Sequence, residues 1–296
     1  QLYRTSHWLI KDKADRYTDR YPLNKLWETL KGRRDVLAIP HIGGRPANLD
    51  FYDAEHIPVI EIYSQHGLFE WFAEEALKRR LKVGFIAGSD DHTGRPGLSS
   101  PSKEAPVGSS FPVRGGLTGI YAERLTREAI WDAIWKRRCY ATTGERIILQ
   151  VEADNHIMGE EYTTDKPPKL HVKIIGTSGL QEIQIRRETE TIYRHQISNK
   201  PKTLLKVEWS GHRTRFRNKK IRWDGELTID KGRIIEAHQF AFDLPGEGIT
   251  EKTSRMVRWK STSSGDPDGI ILQLEREEDT TMSFNTLQGK FKIKLR

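Results

Sequence analysis

The sequence predicts two fold classes in succession, an α/β region followed by an all-β region, and three observations carry this reading. Short apolar runs alternate with segments of helical period over residues 1–144, as in βαβ units with a parallel sheet. Runs in which Val, Ile and Thr alternate with charged residues, separated by turn clusters, fill residues 145–296. No segment of helical period and useful length follows Gly144, so the second region reads as an antiparallel β-sandwich-like domain.

Taken in order, Pro22–Arg34 is predicted as a helix that buries Leu23, Leu26, Trp27 and Leu30. A strand-like run, Val36–Pro40, ends in His41 and passes into Gly43-Gly44-Arg45-Pro46. A second, Val59–Tyr63, ends in Ser64-Gln65-His66-Gly67. Phe69–Lys82 is an amphipathic helix with Phe69, Phe72, Ala73, Ala76 and Leu77 on one face. The third apolar run, Val83–Ala87, leads into Gly88-Ser89-Asp90-Asp91-His92. Glycines after the first and third runs let the backbone turn sharply. Gly108–Gly119 reads as a long connection over the mouth of a site, and Thr126–Arg138 as a helix with Thr126 as its N-cap.

The strand ends concentrate the chemistry. If the third strand runs on to His92, Asp90 and His92 fall on one side of it, because side chains two apart on a strand share a face. A carboxylate and an imidazole converging there are good ligands for Zn²⁺, Mn²⁺ or Fe²⁺, and the carboxyl ends of parallel strands are where α/β barrels hold their sites. The competing account makes Asp90 a loop cap and His92 a surface residue. Glu61 lies on the second strand and His66 just beyond its end. Arg45 and Arg95 follow the candidate ligands in Gly-Pro turns, where a guanidinium can grip an anion with two hydrogen bonds.

Ile39-Pro40-His41, Gly88-Ser89-Asp90-Asp91-His92 and Arg138-Cys139-Tyr140-Ala141-Thr142-Thr143-Gly144 together resemble segments of the PHP (polymerase and histidinol phosphatase) metal-dependent phosphoesterases. Val59–Gly67 and Trp223-Asp224-Gly225 resemble one branch, domain of unknown function 3604. The resemblance is good over about residues 35–150 and looser beyond. It implies that residues 1–144 are the carboxyl-terminal part of a distorted β/α barrel and residues 145–296 an accessory domain. It further implies a hydrolase, most simply a phosphoesterase, with two or three divalent ions in an intact site. His41, Asp90 and His92 are then metal ligands, Glu61 and His66 catalytic or supporting residues, and Arg45 and Arg95 contacts to a small anionic or phosphate-ester substrate.

One departure from that pattern stands out. The family opens with a His-x-His strand, yet none occurs among the ten histidines, and only His7 precedes His41. Either the chain is the later part of a longer protein or the barrel is degenerate. The first account is favoured by the opening at Gln1 and by the shortage of residues, since a closed barrel takes about 200 and roughly 145 precede the change in character. An unclosed barrel would expose strand edges and favour contact with a partner.

The all-β region reads as strands over 146–153, 169–176, 181–187, 191–195, 203–209, 219–223, 226–229, 233–242, 254–260, 269–274 and 290–294. It is either an appendage packed on the first region or a carbohydrate- or other ligand-binding module. The second account is the non-catalytic alternative for the whole chain. Trp209, Trp223 and Trp259 are candidates to stack on sugars, although tryptophans on short strands are more often core. The basic run Arg213–Lys220 reads as a solvated hairpin.

Composition narrows the classes further. With 49 Lys and Arg against 41 Asp and Glu, the charge of +8 permits anionic substrates and gives no ground for nucleic-acid binding. There is no apolar stretch of about 18 residues and no signal-peptide pattern, so no membrane span is predicted, and the compartment is not legible. The single cysteine, Cys139, excludes an intramolecular disulfide; Arg137 and Arg138 beside it are placed to lower its pKa, but no base is paired with it in sequence, and it reads as a thiol packed at the helix end. Phosphate-cradling Gly-x-x-x-x-Gly-Lys, nucleophile-elbow Gly-x-Ser-x-Gly and zinc-binding cysteine pairs are all absent.

Overall fold

The computed structural model describes residues 23–42, 47–90, 115–197, 204–211 and 220–295. These residues are mostly β-strands in several small sheets, with three α-helices. No helix among them is long and apolar enough to cross a membrane.

The first region is built on a βαβ unit. Helix α1 (Asn24–Leu30) precedes strands β1 (Val59–Ser64) and β2 (Gly67–Leu68), helix α2 (Glu70–Lys78) and strand β3 (Gly84–Ala87). β1 and β3 pair in parallel, with Val59 opposite Gly84 and Tyr63 opposite Ala87, and α2 forms the crossover. The predicted apolar face of α2 closes the core here: Phe72 and Ala76 are buried with Ile57, Ile60 and Leu49. Burying each such large side chain contributes about 1.5–3 kcal/mol.

Two expectations need correction in this region. Val36–Pro40 is not a strand. It is tied in by the Ala38 N–H donating to the His56 carbonyl (2.7 Å) and the Glu61 N–H donating to the Pro40 carbonyl (3.3 Å). Pro40 has no N–H to extend a ladder, and Ile39 stays exposed. The connection predicted over Gly108–Gly119 ends earlier than expected, because β4 (Leu117–Ile120) pairs antiparallel with β5 (Cys139–Thr142) across helix α3 (Arg127–Trp135). A β/α barrel is therefore not seen among the described residues; parallel pairing is confined to β1 and β3.

All three helices are shorter than their hydrophobic periods. Each is followed by a residue in the left-handed region, Gly32 (φ 77°), Arg80 (φ 56°) and Arg137 (φ 57°), which stops the helix as a C-terminal cap does. Thr126 is the N-cap of α3 as predicted, its hydroxyl accepting from the Ala129 N–H at 3.2 Å.

Beyond Gly144 the strands are antiparallel throughout. β6 (Ile148–Ala153) lies between β7 (His156–Ile157) and β8 (Leu170–Ile175), and β9 (Glu182–Arg187) pairs with β10 (Glu190–Gln196) in an exposed ribbon. Then come β11 (Leu204–Trp209), β12 (Ile221–Arg222), β13 (Gly225–Ile229), β14 (Arg233–Phe240), β15 (Gly248–Lys252), β16 (Met256–Lys260), β17 (Thr262–Ser263), β18 (Asp268–Glu275), β19 (Thr281–Thr286) and β20 (Gly289–Lys294). Sheets β11-β18-β14 and β15-β16-β13-β19-β20 bury one shared core. Period-two alternation supplies it: Leu227 and Ile229, Val257 and Trp259, Ile270, Leu272 and Leu274, Met282 and Phe284 all point inward. β15 and β19 lie outside the predicted runs.

The tryptophans belong to this core. Trp209 and Trp259 are buried and stack with ring centroids 4.7 Å apart. Their indole N–H groups donate inward, Trp209 to Ser261 Oγ and Trp259 to the Trp223 carbonyl, each at 2.7 Å. Trp223 is half-buried against the same cluster.

The two regions meet at several points, one of them where the β1–β2 turn touches the loop after β17. The Leu68 N–H donates to the Ser264 carbonyl (3.0 Å), and Ser264 Oγ donates to the His66 carbonyl (3.1 Å). Gly67 (φ +136°) and Gly265 (φ +94°) face each other's loop so closely that a Cβ on either would collide with a backbone oxygen of Ser264 or Leu68. Glycine is required at both positions by conformation and by space.

Candidate metal centre

Parallel pairing sets the carboxyl ends of β1 and β3 side by side, and three ligand-type side chains gather there. His41 arrives from the segment after Pro40, His66 from the β1–β2 turn and Asp90 from the loop after β3. One ligand atom of each lies within 4.8 Å of the other two. His66 Nε2 is 2.8 Å from Asp90 Oδ2, and His41 Nε2 is 3.5 Å from the same oxygen. Ligands on a tetrahedral ion with bonds of about 2.0–2.1 Å stand about 3.3 Å apart, so small adjustments suffice for this trio to hold one. It is the one such group among the described residues.

The surroundings fix each ligand. The Gly88 N–H donates to the Tyr63 carbonyl (3.0 Å) and the Gly116 N–H to the Gly88 carbonyl (2.8 Å), which pins the backbone leaving β3. Asp90 takes φ 50°, a left-handed conformation that aspartate tolerates better than most residues. A Cβ at Gly88 would sit 2.7 Å from Glu61 Oε1, so the glycine leaves room for that carboxylate. His66 is buried at 3% exposure, and its N–H donates to Ser64 Oγ (3.2 Å).

Glu61 orients His41. On β1 it faces the imidazole, with Nδ1 and Oε2 2.5 Å apart. That hydrogen bond raises the His41 pKa above its ordinary 6.5, with partial burial working against it and the charges of Glu61 and Asp90 assisting. In the neutral ring Nδ1–H donates to Glu61 and Nε2 keeps its lone pair toward Asp90 and His66, the arrangement by which carboxylates prepare histidines for metals.

The structure thus brings together His41, Glu61, His66 and Asp90 of the residues singled out in the sequence. His92, Arg45 and Arg95 lie outside the described residues. The premise that placed His92 beside Asp90 fails in one respect, because β3 stops at Ala87 and Asp90 has left the extended conformation. His66 lines up with the other ligands through the β1–β3 register, which sequence spacing does not reveal. Cys139 is buried, as expected: burial pushes its pKa up to about 11, and Arg137 counters this only in part. It is a packed thiol, not an activated one.

Residues 102–172 match the family described as protein of unknown function (DUF3604). The matched segment begins after Asp90, covers β4 to β7 with α3 and ends within β8. An uncharacterised protein of Chlamydia pneumoniae is 30% identical over 201 residues, which are 58% of this chain and 31% of that protein. Uncharacterised proteins of Chlamydia muridarum and Chlamydia trachomatis are 28% and 27% identical over 203 residues, again 58% of this chain and 32% of each. The matched part is thus about a third of the length of these relatives. A β-glycosidase from Bacteroides vulgatus is similar at 11% identity and a TM-score of 0.17, over 53% of this chain and 22% of that one, a level from which no common fold follows.

Proposed function

We propose that this chain carries ligands of a divalent-metal site in a metal-dependent hydrolase, a phosphoesterase of the PHP type, with His41, His66 and Asp90 holding the ion. The observation that supports this reading is the convergence of two imidazoles and a carboxylate within 4.8 Å at the ends of two parallel strands. Zn²⁺, Mn²⁺ and Fe²⁺ all suit such a donor set. A bound divalent ion supplies Lewis acidity and lowers the pKa of a water held on it.

The chain's own residues do the rest. Glu61 takes the Nδ1 proton of His41 as a hydrogen bond and holds the ring with Nε2 inward. Asp90 offers the one charged ligand, and His66, buried against the second region, gives a rigid one. Protons compete with the metal at His41. Its raised pKa means that the His41–Glu61 ion pair persists to higher pH than an ordinary imidazole would allow, so metal affinity falls as pH drops through that raised value. The alternative of a sugar-binding β-domain draws no support from Trp209 and Trp259, whose rings are in the core.

Metal content by elemental mass spectrometry tests the reading. At least one equivalent of Zn²⁺ or Mn²⁺ is expected on the chain, lost in His66→Ala and Asp90→Ala, with affinity reduced about 10- to 100-fold in Glu61→Gln. Hydrolysis of phosphomonoesters and phosphodiesters, assayed beside carboxylic esters and amides, is expected to follow the metal. Binding that survives both ligand substitutions would sink the assignment, and turnover of esters or amides alone would replace the phosphoesterase reading with another hydrolysis.

A further inference from the structure

The two sheets of the second region stand open along one side. β11 ends the three-stranded sheet and β20 ends the five-stranded one, and among the described residues each pairs with a single neighbour, β18 and β19. Between these edges lies a cleft of about 260 Å³. Leu205 and Val207 of β11 wall one side and Phe291 and Ile293 of β20 the other, with the buried Trp209 and Trp259 at its floor. Protein interiors leave few voids larger than one water molecule, whose share of liquid volume is about 30 Å³. Here a much larger one reaches the core on a side where Phe291 and Ile293 stay 48% and 49% exposed, which marks apolar surface open to an occupant.

The sequence of β20 specifies the occupant. Lysines alternate with apolar residues along it, so Phe291 and Ile293 turn to the cleft while Lys290, Lys292 and Lys294 turn to the outer face of the sheet. On that face the lysines stand opposite Asn285, Ser283 and Thr281 of β19, none of them acidic. Glu226, the carboxylate that Lys290 acts on, lies beyond β19 on β13 and is already bonded to Arg258 at 3.0 Å. Lys294 reaches Asp279 at 2.8 Å, but both groups are more than half exposed and water screens the pair. An edge charged in this way repels a second copy of itself, because pairing β20 with β20 would set lysines beside lysines. A strand of opposite charge meets no such penalty.

We propose that β20 is a docking edge for an extended peptide in which acidic and apolar residues alternate, added as a further strand to the five-stranded sheet. Its main chain pairs with the free edge of β20, its apolar side chains fill the cleft, and its carboxylates lie beside Lys290, Lys292 and Lys294. None of these residues belongs to the His41, His66 and Asp90 centre.

The probe is a short synthetic peptide of alternating Glu and Val, titrated into the 296-residue chain. Tryptophan fluorescence, reporting from Trp209 and Trp259 at the cleft, and hydrogen exchange along β20 read the binding. Saturable binding with slowed exchange over residues 290–294 is expected, weakened by high salt. Lys292→Glu changes an exposed side chain and is expected to weaken binding about 10-fold or more, with a Lys-Val peptide regaining that affinity on the variant. Methylating the peptide's backbone nitrogens on alternate residues tests main-chain pairing without altering the protein: one set of methyl groups should abolish binding and the other leave it. No binding of the Glu-Val peptide, or equal binding of the Lys-Val peptide to the wild type, would overturn the proposal. So would a dimer in sedimentation with β20 already protected, which makes the occupant a second copy. Decanoate moving the fluorescence where the peptide does not would overturn it too, by making the cleft a lipid site.

Discussion

Where the parallel pair ends, Asp90 meets two imidazoles; where the antiparallel sheet ends, Asp266 and Asp268 meet further carboxylates. In the first region the βαβ crossover collects side chains from distant points on the chain, and it delivers mixed donors of the kind transition metals take. In the second, adjacent strands of one sheet bring two loops together, and those loops are rich in Asp, Pro and Gly because they turn. Oxygen donors accumulate there as a consequence of turn chemistry. One molecule thus holds a mixed-donor candidate metal centre and a buried carboxyl cluster, which differ because their topology differs.

Their supports differ as well. The histidine centre rests on a small core around Phe72 and Ile60, whereas the acidic group caps the larger core that two sheets enclose. Trp259→Ala is expected to have the largest effect on this contrast, because it empties the biggest fully buried side chain and breaks the stack on Trp209. A loss of about 3–5 kcal/mol is expected in urea unfolding. A loss below about 1 kcal/mol would mean that the second core is not the stable part of the molecule.

The contact between the regions comes next in size. Gly67→Ala puts a methyl against the Ser264 backbone oxygen and forces an unfavourable φ of +136°. Because the obstacle is backbone, neither side can yield by rotating a side chain, and a cost of about 1–3 kcal/mol is expected. The same variant should weaken metal binding at the histidine centre, since His66 precedes the displaced residue and its carbonyl accepts from Ser264. Metal affinity unchanged in a destabilised Gly67→Ala would show that the two regions adhere without communicating.

Legibility in the sequence follows the range of the interaction that decides each feature. Alternation along Ile270, Leu272 and Leu274 announces β18, and the period of Phe69–Lys82 announces α2, because burial on one face is written locally. The helix ends were not legible, since Arg80 and Arg137 take the left-handed turn that glycine would have advertised. Val36–Pro40 has the composition of a strand, yet its two backbone bonds to His56 and Glu61 do not extend into a ladder. His41, Asp90, Glu61 and His66 were each visible as candidates; that Glu61 orients His41 and that His66 meets Asp90 depend on the β1–β3 register. Asp266 and Asp268 lie in a turn cluster of the sequence, and only the pairing of β14 with β18 shows that the segment carrying Asp243 and Glu247 shares their end of the sheet.

The smallest expected effect sharpens the account of what joins the regions. Arg186 on β9 reaches Glu74 on α2 at 2.9 Å, one of several ion pairs between the α/β and all-β parts, beside those of Lys82 and Arg137 with Glu161 and of Arg138 with Glu160. The Arg186 and Glu74 side chains are about a third exposed, with accessibilities of 38% and 34%, so water screens the attraction and ordering two long side chains costs entropy. Arg186→Ala is therefore expected to cost about 0–1 kcal/mol and to leave metal affinity at His41, His66 and Asp90 where it was. The comparison with Gly67→Ala separates two kinds of joint: one in which charges meet across solvent, and one in which backbones approach so closely that only glycine fits. If Arg186→Ala proved the costlier substitution in the same urea titration, the regions would be held by charge, and the close backbone contact at Ser264 would lose its place as the main joint between them.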